Sequence, residues 1–297
     1  MAKGGRKPHP QMARMAAVDD VLVGIGRVIG KPRGWERVVR ALAPPRRFAN
    51  RGLRQTKVPE GYVFAVDRGT LVGWNVHFFG SYEPEVRDAI KRWLPPGAVA
   101  VDVGANVGWH TLLMAGCVGV NGRVCAFEPN DSTRARLEAG VSGNGLTHVS
   151  IDPRALSDRC GWSGFSAPDA GHVWDGTGHL VEGSAEGGVA CVTLDAFVAE
   201  QGLDRVDFIK IDVEGWELSV LRGAKATLRE RRPVLVFEFD PAYVARCGGS
   251  AAALDEVLTD GRYALFLLTP RNEPARVSSL GDRGGNFLAV PIERATS

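Results

Sequence analysis

Residues 101–109 read VDVGANVGW, and this stretch decides the fold. Val101, Asp102 and Val103 end an apolar run that begins at Ala98, which is the pattern of a buried strand. Gly104 and Gly108 break it, and GWHTLLMAG (108–116) resumes with the length and composition of a helix. A strand, a glycine turn and a helix in that order make the first half of a βαβ unit. The glycines let backbone approach a ligand closely, and the helix start offers unpaired N–H groups and a positive dipole to an anion.

The spacing of Asp102, Gly104 and Gly108, with small Ala105 between, is D-x-G-x-x-x-G. The dinucleotide fingerprint G-x-G-x-x-G has a glycine where this chain has Asn106. An acid beside a carboxylate-binding turn suits a zwitterion such as S-adenosyl-L-methionine, whose amino group needs an anion. About twenty residues on, RVCAFEP (123–129) reads as a second strand ending in Glu128-Pro129, which puts a carboxylate where it can accept ribose hydroxyls. The third strand, in HVSIDPRAL, leads to Ala155-Leu156-Ser157-Asp158, whose backbone is expected against an adenine ring.

The fourth strand and its helix read DFIKIDVEGWE (207–217). Alternation sends Ile209 and Ile211 to one face and Lys210 and Asp212 to the other, so two charges arrive at the carboxyl end of a buried strand. Burial of charge is costly unless the groups pair or serve a ligand. Glu214 opens the next helix, and Glu238 and Asp240 end the fifth strand, PVLVFEF. These acids converge on the crevice where open α/β sheets bind ligands. His110, in the first turn of its helix, is read as a packing or capping residue.

Outward from this centre, strands and helices alternate as in a parallel sheet covered on both faces. Seven strands are expected, with YALFLLT and NFLAVPI joined by a polar loop that implies an antiparallel end. EPEVRDAIKRWL (83–94) is expected as an amphipathic helix, and residues 62–80 as a β-hairpin around Asp67-Arg68-Gly69. Residues 161–204 hold seven acids and no Lys or Arg, and are expected as a β-rich flap that brings Trp162, His172, Trp174 and His179 to a ligand. Residues 1–60 are expected as a basic, partly helical arm preceding a domain over 61–297.

The formal charge of +2 hides an asymmetry: residues 1–60 carry 14 Lys and Arg against 4 Asp and Glu, leaving 22 against 30 for the remainder. Such an arm fits nucleic acid, a membrane surface, or docking on an acidic body, its own or a dimer partner's. Five cysteines without a CxxC pair fit free thiols, and no apolar stretch approaches a membrane span. Asp19 and Asp20 interrupt the N-terminal positive stretch before an apolar region forms, so a cytoplasmic location is expected.

VDVGANVGWHT, CAFEPN, the ALSD turn, TLDAFV, DFIKIDVEGWELSVLRGA and PVLVFEF together resemble the FkbM family of S-adenosylmethionine-dependent methyltransferases. The likeness runs from about Glu83 to Asp240 and leaves residues 1–60 outside it. It implies an α/β, Rossmann-like class I methyltransferase fold with a seven-stranded sheet, and O-methylation of a sugar or natural product. It carries cofactor contacts onto Asp102, Gly104, Asn106, Gly108, Thr111 and Glu128, to which position adds Ala105, Pro129 and Ala155.

Methyl transfer to an alcohol requires the hydroxyl to lose its proton, and Asp212 and Glu214 are the candidate bases, with Glu238 next and Lys210 orienting or neutralising them. A second mechanism gives Asp212, Glu238 and one more oxygen to Mg²⁺ or Mn²⁺. The expected acceptor is a hydroxyl-rich saccharide, with Trp74 and the flap tryptophans as stacking surfaces. The alternatives are a polyketide-type natural product and, through the basic arm, RNA. Against RNA, no Asn/Asp-Pro-Pro-aromatic tetrapeptide follows the fourth strand, and an acidic flap repels phosphate.

Overall fold

The computed structural model describes residues 18–26, 34–49, 51–58, 60–166, 178–181, 188–270 and 273–295. The chain divides into two compact units, with the division between Tyr82 and Glu83. In the first unit a helical stretch α1 (18–26) precedes α2 (Trp35–Leu42), a 3₁₀ turn (Pro45–Phe48), strands β1 (Arg54–Lys57) and β2 (Val63–Val66), and α3 (Leu71–Phe79).

The hairpin expected over 62–80 is not formed. β2 pairs antiparallel with β1, and Leu71–Phe79 is helical. Thr70 accepts the N–H of Gly73 at 3.2 Å and Gly80 closes the helix at φ 70°, a capped start and stop. The alternation that suggested a strand is that of a helix apolar on nearly every side, because it is buried all round. Trp74 is fully buried there: its indole N–H donates to the Ala43 carbonyl at 2.7 Å, and its ring lies against Phe78 and Phe79. Trp74 is therefore a core residue and not a stacking surface for sugar.

The second unit is built on an eight-stranded sheet. Its strands are β3 (Val99–Val103), β4 (Arg123–Phe127), β5 (Val149–Asp152), β10 (Phe208–Ile211), β11 (Val234–Phe239), β12 (Tyr263–Leu267), β13 (Ala275–Val277) and β14 (Gly285–Pro291). They lie in the order β13-β12-β14-β11-β10-β3-β4-β5. β5, β4, β3, β10 and β11 run parallel, and β14 enters antiparallel between β11 and β12. The sheet thus has the seven expected strands and an eighth, the edge strand β13, from the polar loop.

Helices α4 (Pro84–Trp93), α5 (Trp109–Val118), α6 (Asp131–Gly143), α8 (Glu217–Arg222), α9 (Lys225–Glu230), α10 (Pro241–Arg246) and α11 (Ala251–Asp260) belong to this unit. The helix expected after the fourth strand is two short ones, α8 and α9, interrupted at Gly223, where a Cβ would meet the Ser157 carbonyl at 2.0 Å. One apolar layer joins Val101, Val103, Ile209, Ile211, Phe237 and Phe287 to α8 and α11. β10 is buried at all four positions, so its polar residues are positioned by the sheet itself.

Within 161–204, β7 (Gly161–Ser166), β8 (His179–Val181) and β9 (Val189–Val192) join β6 (Ala155–Leu156) in a separate sheet of order β6-β9-β7-β8, followed by α7 (Leu194–Glu200). His172 and Trp174 lie outside the described residues, and so does the side chain of His179; Trp162 is exposed. Replacing Trp74 by Ala removes the buried ring and its hydrogen bond, and is expected to cost the first unit about 3–5 kcal/mol. A fall in its chemical denaturation midpoint is the measurement.

Candidate active site

The parallel register sets Lys210 beside Asp102, one strand away. Its ammonium is 3.0 Å from Asp212 Oδ2 and 3.6 Å from Asp102 Oδ1, and it donates to the Gly104 carbonyl at 3.0 Å. Burial opposes the ammonium, but the two carboxylates outweigh burial and hold it charged. Asp102 is completely buried and accepts the Thr111 hydroxyl at 2.6 Å, so burial raises its pKa while Lys210 and Thr111 pull it down. Asp102 and Thr111, expected as cofactor contacts, thus lie beneath the glycine turn and tie it to β3 and α5.

The turn is shaped by three left-handed residues, Gly104 (φ 74°), Asn106 (φ 50°) and Gly108 (φ 90°). At Gly104 a Cβ would come within 1.9 Å of the Asp212 carbonyl, so the position requires glycine on two grounds. Glu128 holds the turn from the next strand: one carboxylate oxygen accepts the Asn106 N–H at 2.8 Å, the other the Asn130 N–H at 2.9 Å. Burial pushes its pKa up to about 7 although both N–H groups favour the anion. Each oxygen keeps acceptor capacity for a hydroxyl. Pro129 follows directly, and Ala155 is buried in β6, paired with Cys191.

Asp212 is 29% exposed at its side chain and opens toward solvent at the end of β10. Burial raises its pKa, but Lys210 outweighs burial and leaves it below the usual carboxylate range. Glu238 shares a hydrogen bond with Asp212 and is pushed up to about 9 by burial and by the Asp212 charge, so it is the protonated donor of that pair at neutral pH. Glu214 is pushed up to about 7 by burial and then by Asp212. It stands at φ 54° between Val213 and Gly215, a conformation costing roughly 1–3 kcal/mol that the surroundings must impose. Asp240, the fourth acid expected here, caps α10 by accepting the N–H groups of Ala242 and Tyr243.

Four further residues surround or support these acids: Glu83, His110, Asn286 and Glu217. Glu83 stands before α4 at φ 46° and is pushed up to about 8 by burial and by Asp212. Its carboxylate takes a hydrogen bond from Asn286 at 3.5 Å and lies 3.7 Å from His110 Nε2. Burial and Lys210 lower His110 to about 3, which keeps the imidazole neutral. Asn286 faces Glu238 in the antiparallel register of β14 and β11. Glu217 is the fourth: it is buried under 213–216 and accepts the N–H groups of Val213 and Gly215. Glu83 and Asn286 escape a motif reading because they are 203 residues apart and approach the acids only through the fold.

The arrangement supplies one fixed cation, one ionised carboxylate, and acids whose affinities for protons are spread by their surroundings. Such a set can bind hydroxyl groups and accept a proton near neutral pH. It does not fit a divalent ion. The Lys210 ammonium, 3.0 Å from Asp212, sets a fixed positive charge where a cation would bind, and among the described residues no group of three or more His, Cys, Asp or Glu is arranged to hold a metal.

Residues 102–265 match the family model described as the methyltransferase FkbM domain. The chain is 31% identical over 208 residues to the AMB antimetabolite synthetase AmbE of Pseudomonas aeruginosa, covering 58% of this chain and 10% of that protein. It is 33% identical over 138 residues to the hexuronic acid methyltransferase AglP of Haloferax volcanii, covering 46% and 53%. It therefore spans about half or less of the length of these curated relatives. The crystal structure of methyltransferase FkbM from Methylobacillus flagellatus KT aligns with a TM-score of 0.44 at 17% identity, over 72% of this chain and 52% of that one. With more than half of its length matched by the family model, the chain belongs to the FkbM methyltransferase family.

Proposed function

We propose that the chain is an S-adenosyl-L-methionine-dependent O-methyltransferase that methylates a hydroxyl of a small molecule, a saccharide or glycosylated metabolite. The observation that carries this reading is the pairing of an ionised Asp212, fixed by Lys210, with Glu214 poised to exchange a proton near pH 7. The name of AglP supports a saccharide, and that of AmbE supports a natural product as the alternative acceptor.

When bound, S-adenosylmethionine supplies a methyl group made electrophilic by its sulfonium. The turn from Gly104 to Gly108 and the first turn of α5 would hold its amino-acid end through backbone groups, and Glu128 would accept its ribose hydroxyls. Glu214 accepts the proton of the attacking hydroxyl. Asp212, kept ionised by Lys210, orients that hydroxyl, and protonated Glu238 donates within the cluster. Alignment of well-oriented reactants contributes on the order of 7–11 kcal/mol, and a positioned base roughly 10²–10⁴-fold. No step runs through a metal ion, since the residues do not fit one.

The direct test is incubation with labelled donor and a panel of oligosaccharides and hydroxylated metabolites, read by mass gain of one methyl on oxygen; transfer to nitrogen or to RNA alone overturns the reading. EDTA is expected to leave the rate unchanged, and a loss restored by Mg²⁺ or Mn²⁺ would return the metal mechanism. Glu214→Gln is expected to lower kcat by roughly 10²–10⁴-fold with donor binding retained. A base must be ionised to act, so the rate should rise with pH through about 7 and then level, and the variant should lose that rise. Lys210→Met leaves Asp102 and Asp212 without their cation and is expected to destabilise the protein by about 3–5 kcal/mol, read from the denaturation midpoint.

A further inference from the structure

The first unit carries two apolar helix faces that are only half used. On α1, Val18, Val21, Leu22 and Ile25 fall on one side, and on α2, Trp35, Val38, Val39 and Leu42 do the same. Leu22 and Val39 enter a core cluster with Phe48, Trp74, Phe78 and Phe79. Val18, Val21, Ile25, Val38 and Leu42 stay exposed, joined by Leu53 before β1 and Val63 in β2. Isolated exposed aliphatics are ordinary, but five of these, Val18, Val21 and Ile25 on α1 and Val38 and Leu42 on α2, fall in series along helix faces, the pattern of an interaction surface.

Charge identifies the partner. On the described part of this unit up to residue 58, Arg37, Arg40, Arg46, Arg51, Arg54 and Lys57 are exposed, against the exposed acid Asp20 and the half-exposed Glu36, which pairs with Arg40 at 3.0 Å. Asp19 is buried in an ion pair with Arg47 at 3.2 Å, which removes it from the surface balance. In sequence, Lys3, Arg6, Lys7, Arg14, Arg27, Lys31 and Arg33 add to the positive side, with no acid in 1–17 or 27–33. Exposed aliphatic side chains among arginines match the interface of a bilayer with anionic headgroups, where apolar area and charge act together. A second copy paired face to face would set two such positive faces against each other, and docking of the face on the acidic remainder of a second chain is an outcome the test below separates. Single-stranded nucleic acid would call for exposed aromatic rings on which bases stack, whereas the large apolar residues exposed on this unit are Val, Ile and Leu.

We propose that the first unit docks the enzyme on an anionic lipid surface through the exposed faces of α1 and α2 and their surrounding arginines. The test is co-sedimentation of the full chain with vesicles of phosphatidylcholine alone or mixed with phosphatidylglycerol, at low and high salt. Binding to the mixed vesicles, absent for phosphatidylcholine alone and weakened by salt, is expected. Val21→Ser with Leu42→Ser, and separately Arg37→Glu with Arg54→Glu, should each reduce that binding about tenfold or more. Thermal melts that match the parent's keep loss of folding apart from loss of docking. No binding to the mixed vesicles, or binding that both variants retain, overturns the proposal. A monomer–dimer shift abolished by the serine variant without vesicle binding assigns the face to a second copy, and retention of single-stranded RNA but not vesicles assigns it to nucleic acid; either overturns it too.

Discussion

The candidate site depends on one ammonium group. Lys210 Nζ reaches Asp212, Asp102 and the Gly104 carbonyl at once, so a single charge joins β10, β3 and the glycine turn. A lysine in a strand buried at every position would ordinarily lose its proton or displace the strand. Here two carboxylates keep it charged, and it keeps them where the sheet puts them. Buried pairs of this kind are weak sources of net stability. Their effect is to fix geometry: the glycine turn and Asp212 are referred to the same atom.

From that point the acidity of the site is graded by position. Asp212, Glu214, Glu238 and Glu83 carry the same functional group, yet one stays ionised and the others hold protons more tightly, because one touches the cation and the others sit in poorly hydrated places beside its negative partner. The left-handed non-glycine residues reinforce this picture. Asn106, Glu83 and Glu214 surround the crevice, and each conformation must be held by tertiary contacts. Arg232 and Arg262 share that conformation elsewhere, where the Arg232 guanidinium donates to the Gly261 and Arg262 carbonyls, so left-handed backbone alone does not mark a site.

The motif-bearing part of the chain was legible because each motif joins a strand end to a helix start, and strand alternation alone separates the core face of β10 from its charged face. The glycine turn, Glu128, Lys210, Asp212, Glu214 and Glu238 are legible that way, and the fold brings them near one another. The roles of some were not legible. Asp102 and Thr111 read as ligand contacts, but burial turns them inward to each other, and Trp74 read as a sugar platform but donates to Ala43 in a core. The strand read for 71–79 failed because helical burial on all sides erases the periodicity that distinguishes helix from strand.

The amino-acid sequence by itself determined the order of strands and helices, the placement of acids at strand ends, the antiparallel finish and the unequal charge of the two parts of the chain. These are local properties: patterning at periods of 2 and 3.6, and residue types at turns. Only the tertiary structure decided that Glu83, His110 and Asn286 complete the site and that α1 and α2 leave half of each apolar face exposed. Those outcomes depend on which distant segments meet, and so do the proton affinities of the acids, because burial and neighbouring charge exist only once the chain is folded.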